Sequence, residues 1–349
     1  MKPKAKKFLS NFFFGLFSND HAIEGSKSNP WWVALIIGLF ATLIPVVPIT
    51  VSQAKTYGAS FISNNVYRFD QNIADATVTL LNENKEFKVE NKQLVYYSAG
   101  SVVETSEETD VLPVYQHTNT VTRQYELGIY YTKRTGAGLS SFINDIATKI
   151  YKINTVEVPE EGYEGGKYSP SFVVLSINGV YTRLNSDDSI NVGSNTYTNY
   201  NADWKHFEEG FALLNNALPK DTTVDKVDLN NSADVSKIFN NWKTYYNKAY
   251  ITQKTYNTWM TSLLFWGIYV ALVFVLGLLV FLLTRGKSNM FNYLKFIDTQ
   301  KIVWWAALSP ALLALILGFI FTNFAQMMFI ILLGMRVMWI SMKQLRPQY

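Results

Sequence analysis

Three histidines and three acidic clusters are the residues of this chain best suited to chemistry, and their spacing matches no catalytic scaffold. His21, His117 and His206 are far apart in sequence, and none stands in the His-Glu-x-x-His spacing that puts two metal ligands on one helix face. His206, beside Glu208 and Glu209, reads as part of a solvated helix face. The acidic clusters are Glu104/Glu107/Glu108/Asp110, Glu160/Glu161/Glu164, and Asp187/Asp188 flanked by Asn185 and Asn191. Oxygen-rich turns of this kind can hold calcium, but none follows the EF-hand ligand order, and an ordinary solvated surface is the simpler reading. Paired carboxylates also cleave glycosides, at a separation that sequence does not supply. No Gly-x-Ser-x-Gly elbow, Gly-rich phosphate loop or Rossmann fingerprint occurs, so acyl transfer and nucleotide chemistry lack their usual scaffolds. No cysteine is present, which removes disulfides, thiolate catalysis, Cys-ligated zinc and a lipoprotein anchor. No catalytic, cofactor-binding or metal-ligating residue is therefore assigned.

The elements that would carry any site divide the chain sharply. Four apolar windows, 31–51, 259–283, 302–321 and 324–340, compare with the requirement of about 20 mostly apolar residues for a membrane span. The last is short, and crosses only with a tight turn at Thr322-Asn323 and a snorkelling Arg336. Residues 1–51 and 259–349 hold 12 Lys/Arg and 3 Asp/Glu (net +9), whereas residues 52–258 hold 19 and 24 (net −5). Because basic residues flanking short segments stay cytoplasmic, four spans put both termini inside and the acidic middle outside. Topology and anionic lipid account for the basic residues, which rules out the nucleic-acid reading. A cleaved signal peptide competes for the start of the chain. The apolar run, however, begins about thirty residues in, has span length and lacks a small-x-small exit.

Residues 8–17, Phe-rich and preceded by four lysines, read as a short helix lying on the membrane surface, with a hydrophobic tail packed on the spans as the alternative. Trp31-Trp32, Trp259, Trp304-Trp305 and Trp339 at span ends read as interfacial anchors. Within the spans Arg336 is the one ionisable group, and Pro45, Pro48 and Pro310 come without paired broken helices or an inverted repeat. A self-sufficient transporter or channel lacks its usual residues.

Ile62, Val66, Phe69, Ile73, Ala76 and Leu80 recur at steps of four and three, as do Val235, Ile238, Trp242, Tyr245, Ala249, Thr252, Tyr256 and Trp259. Each series predicts an amphipathic helix. An antiparallel pair would bury both seams as a two-helix stalk; separate packing of each helix on the domain has equal weight. The period then shortens: 172–177 and 180–184, joined through Asn178-Gly179, predict a hairpin. Residues 94–97 and 126–132 are further strand candidates, 139–151 and 204–217 further helices, and 159–170, with Gly162, Gly165 and Gly166, is the expected mobile loop. Eighteen of the 21 tyrosines lie in residues 52–258. Such residues suit sugars and protein partners, and they also favour strands and cores, which carries more weight here.

The chain thus parses into a basic segment (1–30), a first span (31–51), an extracytoplasmic α+β domain (52–258), a second span (259–283), a cytoplasmic basic loop (284–301), two more spans (302–321, 324–340) and a tail (341–349). The fold class is a membrane protein of four transmembrane helices with an inserted α+β domain. The stretch Phe87–Leu94 followed by Val95-Tyr96, the later hairpin at 172–184, and Asn292-Tyr293-Leu294-Lys295 leading to Ala306-Ala307-Leu308-Ser309-Pro310 resemble an uncharacterised family of Gram-positive multi-pass membrane proteins. Some members carry the label maltodextrin-utilisation protein. The resemblance implies an accessory role near a sugar transporter, brings no catalytic residue, and leaves a sugar ligand without a motif. The expected function is a non-enzymatic cell-membrane protein whose outer module binds or positions a partner, as an accessory subunit of a transport or assembly complex. A membrane enzyme acting on an extracellular or lipid substrate, and an atypical permease subunit coupling through 285–301, are the rival readings. Single cysteines at Ser176, Ser288 and Ser341 would report the two sides of the membrane.

Overall fold

In lipid a backbone must satisfy its own N–H and C=O groups, so long apolar windows are expected to be helical, while alternating segments are free to pair as strands. The computed structural model describes residues 3–61, 69–103, 113–118, 125–154, 171–183, 202–220, 222–286, 291–321 and 324–344. The three acidic clusters, the 159–170 loop, the first seam positions Ile62 and Val66, and Thr322-Asn323 lie outside the described residues. The chain divides into two units, one of Met1–Thr56 with Thr255–Tyr349 and one of Tyr57–Lys254.

Elements before the second apolar window are α1 (Pro3–Phe14), α2 (Asn19–Ser28), α3 (Trp31–Leu43), α4 (Val46–Ala54), α5 (Phe69–Asn82), β1 (Lys85–Glu90), β2 (Gln93–Ser98), β3 (Ser101–Val102), β4 (Tyr115–Thr118), β5 (Tyr125–Thr132), α6 (Gly136–Asn154), β6 (Ser171–Ser176), β7 (Gly179–Arg183), β8 (Ala202–Asp203), α7 (Leu213–Ala217) and α8 (Ser232–Ala249). Four apolar helices follow: α9 (Ile251–Leu283), α10 (Phe296–Ala306), α11 (Leu308–Ile320) and α12 (Ala325–Trp339).

Three helical stretches are long and apolar enough to cross a membrane: Trp31–Ala54, Ile251–Leu283 and Phe296–Ile320. The fourth window forms a shorter apolar helix, Gln326–Met342. The first stretch is broken at Pro45, which caps α4, and the third at Ala307. Pro310 lies four residues after Ala306 and has no N–H, so the Ala306 carbonyl loses its helical donor. Arg336 supplies one. Its guanidinium folds back onto the backbone instead of reaching out to water, donating from Nη1 to Ala306 O (2.9 Å), from Nη2 to Gly15 O (2.6 Å) and Ser18 O (3.5 Å), and from Nε to Asn19 Oδ1 (3.0 Å).

The core of this unit mixes small residues, which let helices approach closely, with a few large ones. Trp31, Trp32, Trp259 and Trp339 are exposed on helix surfaces. Trp305 is fully buried and so cannot be an interfacial anchor; its ring lies 6.1 Å from that of Phe8 and so close to Gly25 that a Cβ there would stand 2.8 Å from it. Phe8 and Phe12 of α1 pack on the helical core while Phe13 and Phe14 stay exposed, so α1 has both an inward and an outward apolar face.

The second unit is α+β. A three-stranded antiparallel sheet has order β1-β2-β3, and a five-stranded sheet has order β4-β5-β6-β7-β8. Asn91 and Lys92, both at positive φ (50° and 63°), make the two-residue turn from β1 to β2. In the larger sheet β5 and β6 run parallel with α6 as their crossover, and the other pairs are antiparallel. Both sheet faces are covered. Leu127, Ile129, Tyr131, Val173 and Leu175 face a core shared with α5, α7 and α8, whereas Tyr130, Phe172, Val174 and Tyr181 pack with Phe142 and Ile146 of α6. Central β6 is accordingly buried at every position, as a strand with two covered faces must be.

Three expectations need correction. The hairpin turn is Ile177-Asn178, one residue earlier than predicted, because Ser176 pairs with Gly179. Gly179 is needed for close approach instead of for turn geometry: a Cβ there would lie 1.6 Å from Ala202 O of β8. Residues 204–217 are helical only over α7, because Gly210 N and Phe211 O bond to Val89 and tie that stretch to β1 (2.8 and 3.0 Å). The second seam is interrupted at Tyr250 between α8 and α9. Helices α5 and α8 do meet, with the Phe69 and Phe239 rings 6.2 Å apart and Trp242 Nε1 donating to Thr77 Oγ1 at 3.0 Å. The same stripes also cover the sheet, so the pair is part of the domain core.

Candidate functional site

Helical spacing of i and i+3 places Asn72 and Asp75 on one face of α5, and strand alternation places Tyr115 and His117 on one face of β4. Glu126 joins them through an irregularity. His117 pairs with Leu127 and Thr118 with Tyr125, so the register skips Glu126 and leaves it as the bulged residue of β5. Strict alternation would turn Glu126 away from the face that Leu127 and Ile129 present to α5; the bulge re-aims it toward α5, where its Oε2 accepts from Asn72 Nδ2 at 3.0 Å.

The result is a polar cluster at the β4 side of the sheet. Tyr115 Oη donates to Asp75 Oδ2. His117 Nδ1 stands 3.2 Å from Tyr115 Oη and 3.3 Å from Asp75 Oδ2, while its Nε2 is 3.8 Å from Glu126 Oε2. When protonated, the imidazole therefore directs one N–H toward each carboxylate. Burial, and then the adjoining Asp75 carboxylate, push the Tyr115 phenol well above its ordinary value, so it stays protonated and keeps donating. Asp75 and His117 side chains are 32% and 30% exposed and that of Glu126 is 3%, which makes the imidazole the link between a buried carboxylate and solvent. Such a group can exchange a proton or accept a partner's polar group. Among the described residues no three His, Cys, Asp or Glu side chains are arranged to hold a metal ion.

The other histidines stay apart from this cluster. His21 is on α2, with Nδ1 buried and unbonded and its ring 5.3 Å from Phe14. His206 lies in an exposed turn, not on a helix, with Nε2 3.1 Å from Thr252 Oγ1. Tyr96, Tyr130, Tyr131, Tyr181, Tyr245 and Tyr246 are buried in the core, so these tyrosines serve packing. The buried Glu86 is also structural. It accepts from Phe87 N (2.9 Å), Leu214 N (2.8 Å) and Asn215 N (3.1 Å), capping α7, and burial raises its pKa against the lowering effect of those bonds. Asp75, Tyr115 and Glu126 went unnoticed in the sequence; the i, i+3 pair on α5 and the Tyr-x-His alternation were the available signals, and only the bulge brings in Glu126.

No family model matches this chain, and no curated protein or solved structure matches it.

Proposed function

We propose that this is a non-enzymatic multi-pass protein of the cell membrane that presents the α+β unit outside the cytoplasm to bind or position a membrane-protein partner, as an accessory subunit of a transport or assembly complex. The observation that carries this reading is the setting of the His117 cluster. It stands at the side of a sheet, with Asp75 and His117 about one third exposed and its carboxylates already engaged by Tyr115 and Asn72, which suits docking better than turnover. The net +9 and −5 of the two parts of the sequence support four spans with both termini inside, the short α12 being the fourth. The likeness to the Gram-positive family with maltodextrin-utilisation members supports the accessory role.

Purification of the full chain in mild detergent tests the proposal, which requires stoichiometric companions whose recovery falls with His117→Gln or Asp75→Asn. One observation favours a membrane enzyme instead, the imidazole held between two carboxylates. That reading requires His117→Gln to abolish function in cells while companions are recovered undiminished, or the protein to purify alone.

A further inference from the structure

Arg336 is a cation in an apolar helix, and among the described residues no carboxylate pairs with it. Its bonds to Asn19, Ala306, Gly15 and Ser18 use one N–H on Nε, one on Nη1 and those on Nη2, so of the five guanidinium donors one Nη1 N–H is left over. The Nε bond fixes the Asn19 amide with Oδ1 toward Arg336, which turns the Nδ2 donors elsewhere. Arg336, Asn19 and Ser309 are the polar residues that line an open groove of about 350 Å³. The rest of the wall includes Leu313 of α11 and Leu332 and Met335 of α12. Leu313 and Met335 are 47% and 51% exposed, on the apolar outer surface of the helical unit. A soluble anion would satisfy the polar residues and leave the apolar ones bare, and an uncharged lipid would do the reverse.

We propose that this groove is a binding site for an anionic phospholipid, its phosphate held by Arg336, Asn19 and Ser309 and an acyl chain laid along Leu313, Leu332 and Met335. The phosphate supplies the counter-charge that Arg336 lacks among the described residues, in a setting where an uncompensated cation is costly. Its three donors differ in kind, a guanidinium N–H, an amide and a hydroxyl, all acceptable to phosphate oxygens.

Native mass spectrometry of the full chain, offered phosphatidylglycerol and phosphatidylcholine with identical acyl chains, tests the site. The wild type should retain phosphatidylglycerol over phosphatidylcholine by about fivefold or more. Asn19→Asp preserves the acceptor for Arg336 Nε while neutralising the cation, so it should melt no lower than wild type and lose the preference. If it does melt lower, Ser309→Asp, which places a carboxylate in the lining of the same groove without touching the Arg336 bonds, carries the same expectation. Equal retention of the two lipids by wild type, an undiminished preference in the folded aspartate variant, or displacement of the lipid by inorganic phosphate at the same concentration would each overturn the proposal.

Discussion

Arg336 Nη1 donates at 2.9 Å to the carbonyl of Ala306, the acceptor that Pro310 deprives of its helical N–H. Two features that look unrelated in sequence, a proline in one span and an arginine in the next apolar helix, are thus halves of one hydrogen-bonding arrangement. Arg336→Lys replaces a planar fork by a single ammonium, and should destabilise the helical unit by about 1–3 kcal/mol in denaturant unfolding of the detergent-solubilised chain. Because Pro310→Ala returns an N–H to Ala306, the double variant should recover about 1 kcal/mol relative to additivity. Strict additivity would show that the two residues do not share this carbonyl.

Trp242→Ala should cost about 3–5 kcal/mol, since it empties a fully buried site between α8 and α5 and removes the bond to Thr77. Tyr57, 64% exposed, serves as control, and Tyr57→Ala should change stability by no more than about 0.5 kcal/mol. Equal effects in urea unfolding would mean that the α5–α8 contact is not part of the core.

Glu86 makes a pH prediction. Its folded pKa is raised above the usual 4.5, chiefly by burial, so its contribution to stability is fully present below that value and declines as pH rises through the folded pKa. The stability of wild type relative to Glu86→Gln should therefore be greatest in acid and shrink toward neutrality. A difference that grows with pH, in parallel denaturation series, would contradict the assignment.

Removing the bulged carboxylate tests the register. Glu126→Ala takes from the buried Asn72 amide the acceptor it has at 3.0 Å, at a cost of about 1–3 kcal/mol, and adding Asn72→Ala should cost less than it does alone. Independent effects would place Glu126 on the α6 face, where unbroken alternation puts it.

Sidedness is tested by single cysteines and a membrane-impermeant maleimide. Ser176 is unsuitable, because it is 2% exposed and its Oγ donates to Gly179 O at 2.8 Å, whereas Ser101 is exposed on β3. Cysteine at Ser101 should label in intact cells, and cysteine at Ser288 only after permeabilisation. Labelling at Ser288 without it sinks the orientation.

What was legible in the sequence follows from neighbours along the chain. Span-length apolar windows, the strands around 172–183, and the buried faces of α5 and α8 are written as composition and period, because solvent preference acts residue by residue and recurs with the local repeat. Partnership is not written that way. The seams named the buried residues of both helices, Phe69 and Trp242 included, and still left open whether the helices meet each other or the sheet; the structure has them do both. The hairpin slipped by one residue because Asn178-Gly179 is a good local turn, yet the approach of β8 requires Gly179 inside a strand.

The candidate site depended on tertiary structure more than any element did. Asn72 and Glu126 are 54 positions apart, and Glu126 faces Asn72 only because one skipped register position reverses its side. Arg336 and Asn19 are 317 positions apart, and the α10 carbonyl that Arg336 also reaches lacks a helical donor because Pro310, four residues further on, has no N–H. By itself the sequence determined which segments are apolar enough for lipid, which are amphipathic, and where charge lies along the chain, since each depends on the residues within one or two turns. Which carboxylates meet His117, which tryptophan is buried, and what Arg336 bonds to were decided by contacts between distant segments, whose energies depend on packing geometry that no local window contains.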